Sequence, residues 1–392
     1  MIRERIRVLH VITRLVVGGA QENTLLTAAR LDCARYDVTL VSGPTVGPEG
    51  SLETQIPWSI AFERIPELVR APHPVKDLVA LRRLYTLMRR DRYHIVHTHT
   101  TKAGLLGRFA ARLARVPVVI HTPHGHAFHD YLSPGGSEAL KLVERGLARW
   151  THRIICLTEA ERRDHLRFRI APPEKFEVIH SGVDIETFQR AGMSPLLTRG
   201  TAGLPADGPL VGCVARLVPV KGVRYLLEAI PSVRAAVPTA RVVFVGDGPL
   251  RAELECRAAA LGLDGAAVFL GLRRDIAEIM PLFDVVVLPS LNEGMGRVAV
   301  EALAAGRPLI ASRVSGIQDV VIDGETGLLV PPADPAALAR AIVRCLSSPG
   351  FAVTLGTKAR DEIHKYSVES MISKIDRLYR RSLDREGEVS FN

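Results

Sequence analysis

The sequence of 392 residues lacks any apolar run long enough to cross a lipid bilayer as a helix. Its opening residues alternate charged and apolar side chains, so they also lack the continuous apolar core of a cleavable secretion signal. They have the pattern of a first β-strand instead. We therefore expect a cytoplasmic protein whose contact with a membrane, where it occurs, is peripheral at the inner face.

Cysteine and aromatic residues are also scarce. The five cysteines include no close pair, which argues against a disulfide framework and a cysteine zinc site and fits a reducing compartment. Aromatic residues make up only 5% of the chain and do not interleave with basic ones, which disfavours nucleic acid as a partner. Lys and Arg outnumber Asp and Glu by 51 to 42, a formal charge of +9 that favours anionic partners such as nucleotides and phosphorylated lipids.

Short β-branched runs alternate with longer helical patterns along most of the chain. This alternation predicts an α/β fold with two doubly wound, Rossmann-like domains, because the pattern pauses once and then begins again. Ligands of open sheets bind beyond the carboxyl ends of the strands, so two such domains are expected to face a central cleft. The predicted divisions are an N-terminal domain at 1–190, a linker at 191–208, a C-terminal domain at 209–365, and a terminal helix at 366–392 that crosses back to the N-terminal domain.

The segment Glu293–Glu301 carries the most informative pattern of the second half. It follows a predicted strand and opens a predicted helix, with Gly294 and Gly296 near the start. These glycines let a ligand approach the backbone, and the free N–H groups at the start of a helix suit a diphosphate. The two glutamates differ by about 80° around an α-helix, so both carboxylates can face one cleft and accept hydrogen bonds from sugar or ribose hydroxyls.

A glycine pair follows the first strand of the first half, and two cations follow the first strand of the second half. Arg216 and Lys221 lie between a predicted strand and helix, where they can stabilise the negative charge of a departing nucleoside diphosphate. Gly18 and Gly19 permit close backbone approach of a donor phosphate or an acceptor. They do not form the G-x-G-x-x-G fingerprint, which disfavours a nicotinamide-dependent oxidoreductase.

Histidines cluster in the first half of the chain, at His97, His99, His121, His124, His126 and His129. Histidine-rich tracts can bind metal ions. No His-Glu-x-x-His helix accompanies them, however, and no Asp-x-Asp motif is present to chelate a metal on a nucleotide diphosphate. The sequence therefore predicts no metal site and no resident cofactor, with His121 and His129 in structural roles.

Two basic helices with apolar stripes are predicted at 76–92 and 102–115. The second combines four cations with four large apolar residues: Lys102, Arg108, Arg112 and Arg115 with Leu105, Leu106, Phe109 and Leu113. Such a helix is ordinarily an amphipathic surface helix. The alternative is docking to an anionic membrane that presents a lipid-linked acceptor.

These motifs together resemble the retaining glycosyltransferases of the GT-B fold, family 4, over nearly the whole chain. The resemblance rests on Gly18-Gly19-Ala20-Gln21, His124-Gly125-His126, Arg216 with Lys221, Glu293–Glu301 and the later segment 323–332. It implies transfer of a sugar from a nucleotide-diphosphate sugar, with UDP as the commoner choice, to a glycan or lipid-linked acceptor. It also implies retention at the anomeric carbon and a place in cell-surface polysaccharide or glycolipid synthesis.

The resemblance further implies roles for the donor-side residues. Glu301 would hold the ribose hydroxyls of the donor, and Arg216 and Lys221 would hold its diphosphate. Glu293 would contact the transferred sugar. The same contact would involve three backbone positions: Gly294, Met295 and Gly296.

For the first half, the resemblance implies a histidine beside the reacting carbon of the sugar. That histidine would be His124, with His126 close behind it. Three further side chains would line the same mouth on the acceptor side: His97, His99 and Lys102. One position departs from the family pattern, because Ser181 stands where the family often has Asn before Gly-Val-Asp; serine can replace asparagine in a turn.

Two alternatives to a transferase remain at this point. A nucleotide-sugar epimerase or hydrolase on the same architecture would consume the donor equally fast without an acceptor. A non-catalytic sugar-nucleotide-binding protein would bind the donor without turnover.

Overall fold

The computed structural model describes residues 5–45, 50–125 and 134–386. These residues form two compact units. The first unit contains the chain up to Gly182 and again from Val368 onward, and the second is Val183–Ser367. Each unit has its own parallel sheet and its own core.

The described residues contain thirteen β-strands. Seven lie in the first unit: β1 (Ile6–Ile12), β2 (Tyr36–Ser42), β3 (Ala61–Arg64), β4 (Ile95–His99), β5 (Val118–Thr122), β6 (Arg153–Cys156) and β7 (Phe176–Val178). Six lie in the second: β8 (Leu210–Val214), β9 (Arg241–Val245), β10 (Ala267–Gly271), β11 (Val285–Leu288), β12 (Leu309–Ser312) and β13 (Leu328–Val330).

Fourteen α-helices accompany these strands in the part of the chain that the structure describes. The first unit contains α1 (Gly19–Arg30), α2 (Pro74–Asp91), α3 (Thr101–Ala114), α4 (Pro134–Ala148), α5 (Glu159–Arg167) and α14 (Val368–Glu386). The second contains α6 (Ile185–Met193), α7 (Val223–Ala236), α8 (Arg251–Ala260), α9 (Ile276–Ile279), α10 (Arg297–Ala304), α11 (Ser315–Gln318), α12 (Pro335–Ser347) and α13 (Pro349–Glu362).

Both sheets are doubly wound around a central first strand. The order is β3-β2-β1-β4-β5-β6-β7 in the first unit and β10-β9-β8-β11-β12-β13 in the second. All the pairings between these strands are parallel. The strand order reverses beside β1 and beside β8, and ligands of open α/β sheets bind at the carboxyl ends of the strands on either side of such a reversal. The prediction of two Rossmann-like α/β domains is confirmed.

The central strands are apolar on both faces because helices cover both faces of each sheet. On β1, Val8 and Ile12 belong to one buried apolar cluster, whereas Leu9 and Val11 belong to another. The period of two along a strand sends these side chains to opposite faces. The C-terminal helix α14 completes the first of these clusters with four side chains: Met371, Ile375, Leu378 and Tyr379.

The boundary between the units lies earlier than the predicted linker. The predicted linker, 191–208, is part of the second unit, and α6 already begins at Ile185. Asp184 caps that helix by accepting a hydrogen bond from the N–H of Thr187 at 3.2 Å. A Cβ atom added at Gly192 would lie 2.6 Å from the carbonyl oxygen of Ala305. Gly192 therefore serves close packing within the second unit, and residues 191–208 do not form a separate linker.

No single helix among the described residues is long and apolar enough to cross a membrane. Only a pair passes the test of length and composition, Pro335–Ser347 with Pro349–Gly356, and this pair is bent by 101°. Leu338, Ile342 and Cys345 of that pair are buried in the core of the second unit.

Candidate active site

The loop after β8 carries two of the predicted donor-binding cations. Arg216 is exposed, and Lys221 ends a short turn of 3₁₀ helix that starts at Pro219. Gly222 follows with a φ of 60°, and a Cβ atom there would lie 2.0 Å from the carbonyl oxygen of Pro289. Because only glycine fits, this position holds the loop after β8 directly against the loop after β11.

Glu293 is fixed by two neighbours from these loops. The Nζ atom of Lys221 lies 2.6 Å from Oε1 of Glu293, and the hydroxyl of Ser290 donates to the same oxygen at 2.7 Å. The side chains of Lys221 and Glu293 are 23% and 9% exposed. The structure thus brings together two of the predicted catalytic residues. It adds Ser290, which carried no recognisable motif in the sequence.

The glycines after Glu293 shape the start of α10. Gly296 precedes the helix with a φ of 75°, and a Cβ atom there would lie 2.4 Å from Cδ1 of Ile317. Met295 is buried with 2% exposure. A Cβ atom at Gly316 would lie 2.3 Å from the carbonyl oxygens of both Glu293 and Gly294. The loop before α10 is therefore packed against the loop after β12, and its backbone is held rigidly at the N-terminus of a helix.

Glu301 lies in the second turn of α10 and is half-buried. Its Oε1 atom is 3.9 Å from Nε of Arg297, with side-chain exposures of 13% and 15%. Glu293 lies in the loop before the helix. The predicted angle around one helix therefore does not apply to this pair, although both glutamates remain at the same end of α10.

The turn at 246–248 supports the loop that carries Arg216. A Cβ atom at Gly246 would lie 2.0 Å from the carbonyl oxygen of Ala215, and one at Gly248 would lie 2.5 Å from that of Leu217.

The arrangement at this edge of the second sheet combines cations, a helix N-terminus and two carboxylates. Chemically, it can bind a diphosphate and accept hydrogen bonds from hydroxyl groups.

In the first unit, the glycine pair lies at the start of α1. Gly18 is the N-cap, with extended backbone, and Gly19 is the first helical residue. The carbonyl of Gly18 accepts a hydrogen bond from the N–H of Glu22 at 2.9 Å. A side chain at Gly18 would approach Oε1 of Gln21 at 3.0 Å. These glycines leave the start of the helix open to a ligand, and their role in donor binding stays a prediction.

The histidines of β4 differ from their predicted position. His97 and His99 are 1% and 0% exposed, because β4 is a central strand between β1 and β5. They were expected to line the mouth of the site on the acceptor side, but their burial prevents direct contact with an acceptor. Burial lowers the pKa of both imidazoles well below the usual value, with a smaller contribution from the neighbouring histidines.

His124 lies in the turn that follows β5. Its φ is 62°, an uncommon left-handed conformation for a residue with a side chain, and Gly125 follows with a φ of 105°. The buried carboxylate of Glu161 holds this turn by accepting a hydrogen bond from the N–H of Gly125 at 3.1 Å. The other oxygen of Glu161 accepts from the N–H of Leu157 at 2.6 Å. Burial raises the pKa of Glu161. No sequence motif indicated this supporting role.

The cations of α3 also differ from expectation. Lys102, predicted on the acceptor side, is only 14% exposed, and its Nζ atom lies 2.6 Å from Asp77. Arg108 is fully buried and forms two hydrogen bonds of 2.8 Å with Glu144. Of the four predicted cations of this helix, only Arg112 and Arg115 remain exposed. His126 and His129 lie outside the described residues.

Ser181 and Gly182 occupy the position where the sequence departs from the family pattern. The hydroxyl of Ser181 accepts a hydrogen bond from Nδ2 of Asn23 at 2.7 Å. A Cβ atom at Gly182 would lie 2.8 Å from Cα of Val368. Serine therefore has a defined partner on α1, and the glycine allows α14 to pack closely.

Three buried histidines could in principle hold a metal ion. One ligand atom from each of His10, His97 and His99 lies within 4.8 Å of the other two. However, both ring nitrogens of His97 already form hydrogen bonds, with Tyr379 and Thr122. A metal ion would have to break these bonds, so hydrogen bonding within the core accounts for the cluster as it stands.

The chain is similar to known glycosyltransferases along most of its length. Residues 17–187 match the domain family described as Glycosyltransferase Family 4, and residues 208–348 match the one described as Glycosyl transferases group 1. A UDP-Gal:alpha-D-GlcNAc-diphosphoundecaprenol alpha-1,3-galactosyltransferase of Escherichia coli is 31% identical over 378 residues, 96% of this chain and 97% of that protein. A D-inositol 3-phosphate glycosyltransferase of Corynebacterium glutamicum is 29% identical over 94% of this chain and 93% of its own.

Solved structures with the same fold cover almost the entire chain. Sucrose-phosphate synthase from Thermosynechococcus elongatus has a TM-score of 0.81 and 25% identity, with coverage of 97% of this chain and 100% of the other. Anabaena HepE in complex with UDP and glucose has a TM-score of 0.81 and 24% identity, with coverage of 95% and 99%. The likeness to HepE establishes the fold alone.

Proposed function

Since this chain belongs to glycosyltransferase family 4 and is a glycosyltransferase of the GT-B fold, we propose that it transfers a sugar from a UDP-sugar to a lipid-linked or glycan acceptor with retention at the anomeric carbon. The observation that carries the proposal is the ion pair between Lys221 and Glu293 at the N-terminus of α10. This pair joins the cation expected at the diphosphate to the carboxylate expected at the transferred sugar.

The second unit supplies the groups that the donor requires. Lys221, Arg216 and the backbone N–H groups at the start of α10 would stabilise the charge that develops on the departing diphosphate. Glu301 would accept hydrogen bonds from the ribose hydroxyls, because a carboxylate is a bidentate acceptor. In the first unit, His124 would contact the transferred sugar. No metal ion is needed in this proposal, since the cations and the helix N-terminus balance the charge of the diphosphate.

We propose retention by same-face substitution, and the hydrogen bonds of Glu293 support this choice over a covalent mechanism. A covalent mechanism needs a carboxylate free to attack the anomeric carbon. The Oε1 atom of Glu293 is instead engaged by both Lys221 and Ser290. We therefore propose that the leaving diphosphate helps to deprotonate the acceptor hydroxyl, so that the new bond forms on the face from which the diphosphate departs. Catalysis would then rest on positioning and electrostatic stabilisation.

The choice of UDP and of a lipid-linked acceptor is supported by the relatives. The Escherichia coli relative is named for UDP-Gal and for a diphosphoundecaprenol-linked sugar, and it matches nearly the full length of both chains. HepE has been solved with UDP. These names suit the excess of basic residues in the chain, because both a nucleotide sugar and a polyprenyl diphosphate are anions.

A transfer assay tests this function. We expect the purified chain to move radiolabelled sugar from a UDP-sugar to a polyprenyl-diphosphate-linked sugar, with an α-anomer product from an α-linked donor by NMR. A product of inverted configuration would contradict the retaining mechanism. Donor consumption at an equal rate without acceptor would favour an epimerase or hydrolase, and binding without turnover would favour a non-catalytic sugar-nucleotide-binding protein.

One surface of the first unit suits an anionic membrane at the cytoplasmic face. Leu105, Phe109 and Leu113 form an exposed stripe on α3, with exposures of 37%, 38% and 51%. The ring of Phe109 lies 5.9 Å from that of Trp150. Trp150 lines a basic cavity of about 460 Å³ together with Arg112, Arg115, Arg149, Arg153 and Lys175. Burial, followed by repulsion from Arg385, lowers the pKa of Arg153, although Glu177 and Glu174 act in the opposite direction. We propose that this surface docks on anionic lipid.

Vesicle sedimentation tests the docking surface. Leu113→Glu places a charge in the exposed stripe, so we expect several-fold weaker sedimentation with phosphatidylglycerol vesicles than for the wild type. Val353→Glu is the matched control, since Val353 is an apolar residue of the second unit with 65% exposure. Neutral phosphatidylcholine vesicles should bind neither variant. Equal sedimentation of wild type and Leu113→Glu on anionic vesicles would refute docking through α3.

A further inference from the structure

Three buried histidines of the first unit, His10, His97 and His99, belong to one continuous chain of hydrogen bonds that ends at His124. Nδ1 of His99 lies 2.9 Å from Nε2 of His124, and Nε2 of His99 lies 2.9 Å from Nδ1 of His10. Nε2 of His10 lies 3.5 Å from the hydroxyl of Tyr379. That hydroxyl is also 2.7 Å from Nδ1 of His97.

The chain has a closed end at Thr122. Nε2 of His97 lies 2.8 Å from the hydroxyl of Thr122, which is 2% exposed. Four different segments of the sequence contribute to the chain: β1, β4, β5 with the turn that follows it, and the C-terminal helix α14. Tyr379 is 0% exposed and is placed by the packing of α14 on the core.

Each histidine inside the chain has to donate on one side and accept on the other, whereas the hydroxyl of Tyr379 has one proton and two acceptor lone pairs. Burial lowers the pKa of His10 to about 3 and the pKa of His97 and His99 well below the ordinary value, so these imidazoles are neutral. Burial also raises the pKa of Tyr379, which keeps its proton. A neutral imidazole has one N–H group and one acceptor nitrogen. The direction of one bond therefore sets the direction of the next.

Because of this coupling, the tautomer of His10 in the core sets the tautomer of His124. Where Nδ1 of His10 donates to His99, Nδ1 of His99 must donate to His124, and Nε2 of His124 is then an acceptor. Where the direction is reversed, Nε2 of His124 carries the proton. Reversal requires a proton to move in every bond of the chain together, so the chain favours one tautomer at a time.

The chain cannot serve as a path for net proton transport. A proton delivered to one end must leave from the other, and the end at Thr122 is closed inside the core. A charged imidazole along the chain is also opposed by its burial. What remains is orientation: the chain holds the ring of His124 and decides which of its nitrogens can donate.

We propose that His10, His99 and Tyr379 are positioning residues that fix the ring and the tautomer of His124. This rests on the proposed function only for its catalytic consequence, which is that His124 presents a defined donor or acceptor to the transferred sugar. It assigns a purpose to His97 and His99 that does not need contact with an acceptor. It also makes the C-terminal helix, through Tyr379, part of the support of the site.

Nuclear magnetic resonance of ¹⁵N-histidine-labelled full-length protein tests the chain without any substrate. Tyr379→Phe removes only the hydroxyl that joins His97 to His10. We expect it to change the Nδ1 and Nε2 shifts of His99 and His124, although Tyr379 bonds to His97 and His10, so the effect has to pass through His10. Tyr36→Phe is the matched control, because it removes a buried hydroxyl that bonds to Asp376 of the same helix at 2.8 Å and lies outside the chain.

Kinetics with the same protein test the consequence for the reaction. His99→Leu removes the partner of His124, so we expect kcat to fall about tenfold while KM for the UDP-sugar stays within twofold. His99→Asn keeps a polar group near the position of Nδ1 and should recover part of the lost kcat. Tyr379→Phe should lower kcat about fivefold. This variant tests the same effect on kcat if His99→Leu does not fold.

Several results would overturn the proposal. Unchanged shifts of His99 and His124 in Tyr379→Phe would show that no tautomer is transmitted. One bound metal ion per chain, lost in His10→Leu, would show that the nitrogens are ligands. Equal kcat in wild type, His99→Leu and His99→Asn would remove the positioning role while leaving the transferase intact. A protein that shows the predicted histidine shifts but transfers no sugar would instead contradict the proposed function alone.

Discussion

Replacement of Lys221 by methionine is expected to lower kcat for sugar transfer by about a hundredfold. The departing diphosphate gains negative charge in the transition state, and loss of one preorganised charged donor typically costs a hundredfold or more. The ammonium of Lys221 lies 2.6 Å from Glu293, whose side chain is only 9% exposed. Methionine keeps the length of the side chain but leaves Ser290 as the remaining support of that carboxylate, so the diphosphate contact is lost and Glu293 is held less firmly.

Two variants separate charge from structure in this experiment. Lys221→Arg keeps the positive charge and should retain more activity than Lys221→Met. Arg224→Met removes an exposed cation from the first turn of α7 that lies over the ring of Tyr225, and it should leave kcat within about twofold of the wild type. Steady-state assays at saturating donor give these values. A Lys221→Met enzyme as active as Arg224→Met would contradict the role assigned to the ion pair.

The free energy of unfolding of the first unit is expected to fall steeply below pH 6.5. Burial lowers the pKa of four histidines of this unit: His10, to about 3, and His97, His99 and His121, well below the usual value. In the unfolded chain these groups titrate near 6.5. As pH falls below that value, the unfolded state binds protons that the folded state does not, so stability is lost. Each proton contributes a slope of about 1.4 kcal/mol per pH unit, and four approach about 5 kcal/mol per pH unit.

Urea denaturation between pH 8 and pH 5 measures this slope. The two tryptophans of the chain, Trp58 and Trp150, both belong to the first unit, so intrinsic fluorescence reports on its unfolding. His10→Leu removes one of the four buried imidazoles and should reduce the slope by about 1.4 kcal/mol per pH unit. A transition midpoint that does not change between pH 8 and pH 5 would show that the histidines are not held neutral in the folded state.

The fold could be predicted from sequence because its central strands are continuous apolar runs. β1, β8, β9 and β11 are mostly apolar runs of this kind, and their alternation with helical patterns predicted the two domains. The edge strand β3 was not predicted: Ala61 and Arg64 at its ends are exposed, so it has no apolar pattern. The predicted linker at 191–208 was misplaced because small residues mark close packing on α10 as well as free chain.

The donor-side residues were predicted more completely than their supports. Lys221 and Glu293 come from motifs with local signals, and the structure places them in contact. Gly222 and Gly316 are required by contacts between loops that are distant in sequence, so local pattern could not reveal them. The acceptor-side prediction differed most, because a histidine on a strand gives no sign of which way its ring points. His97 and His99 face the core, where His97 forms a hydrogen bond with Tyr379 of the C-terminal helix.

Calorimetric binding of UDP, GDP and ADP to the wild type and to Glu301→Ala tests the central claim most directly. We expect UDP to bind, and Glu301→Ala to weaken it by about tenfold to a hundredfold, because hydrogen bonds to a charged acceptor are lost from the ribose. Glu325→Ala, at an exposed position of the same unit, should bind UDP as the wild type does. Failure of all three nucleotides to bind folded wild type, or equal affinity of UDP for wild type and Glu301→Ala, would contradict a nucleotide-sugar site at α10.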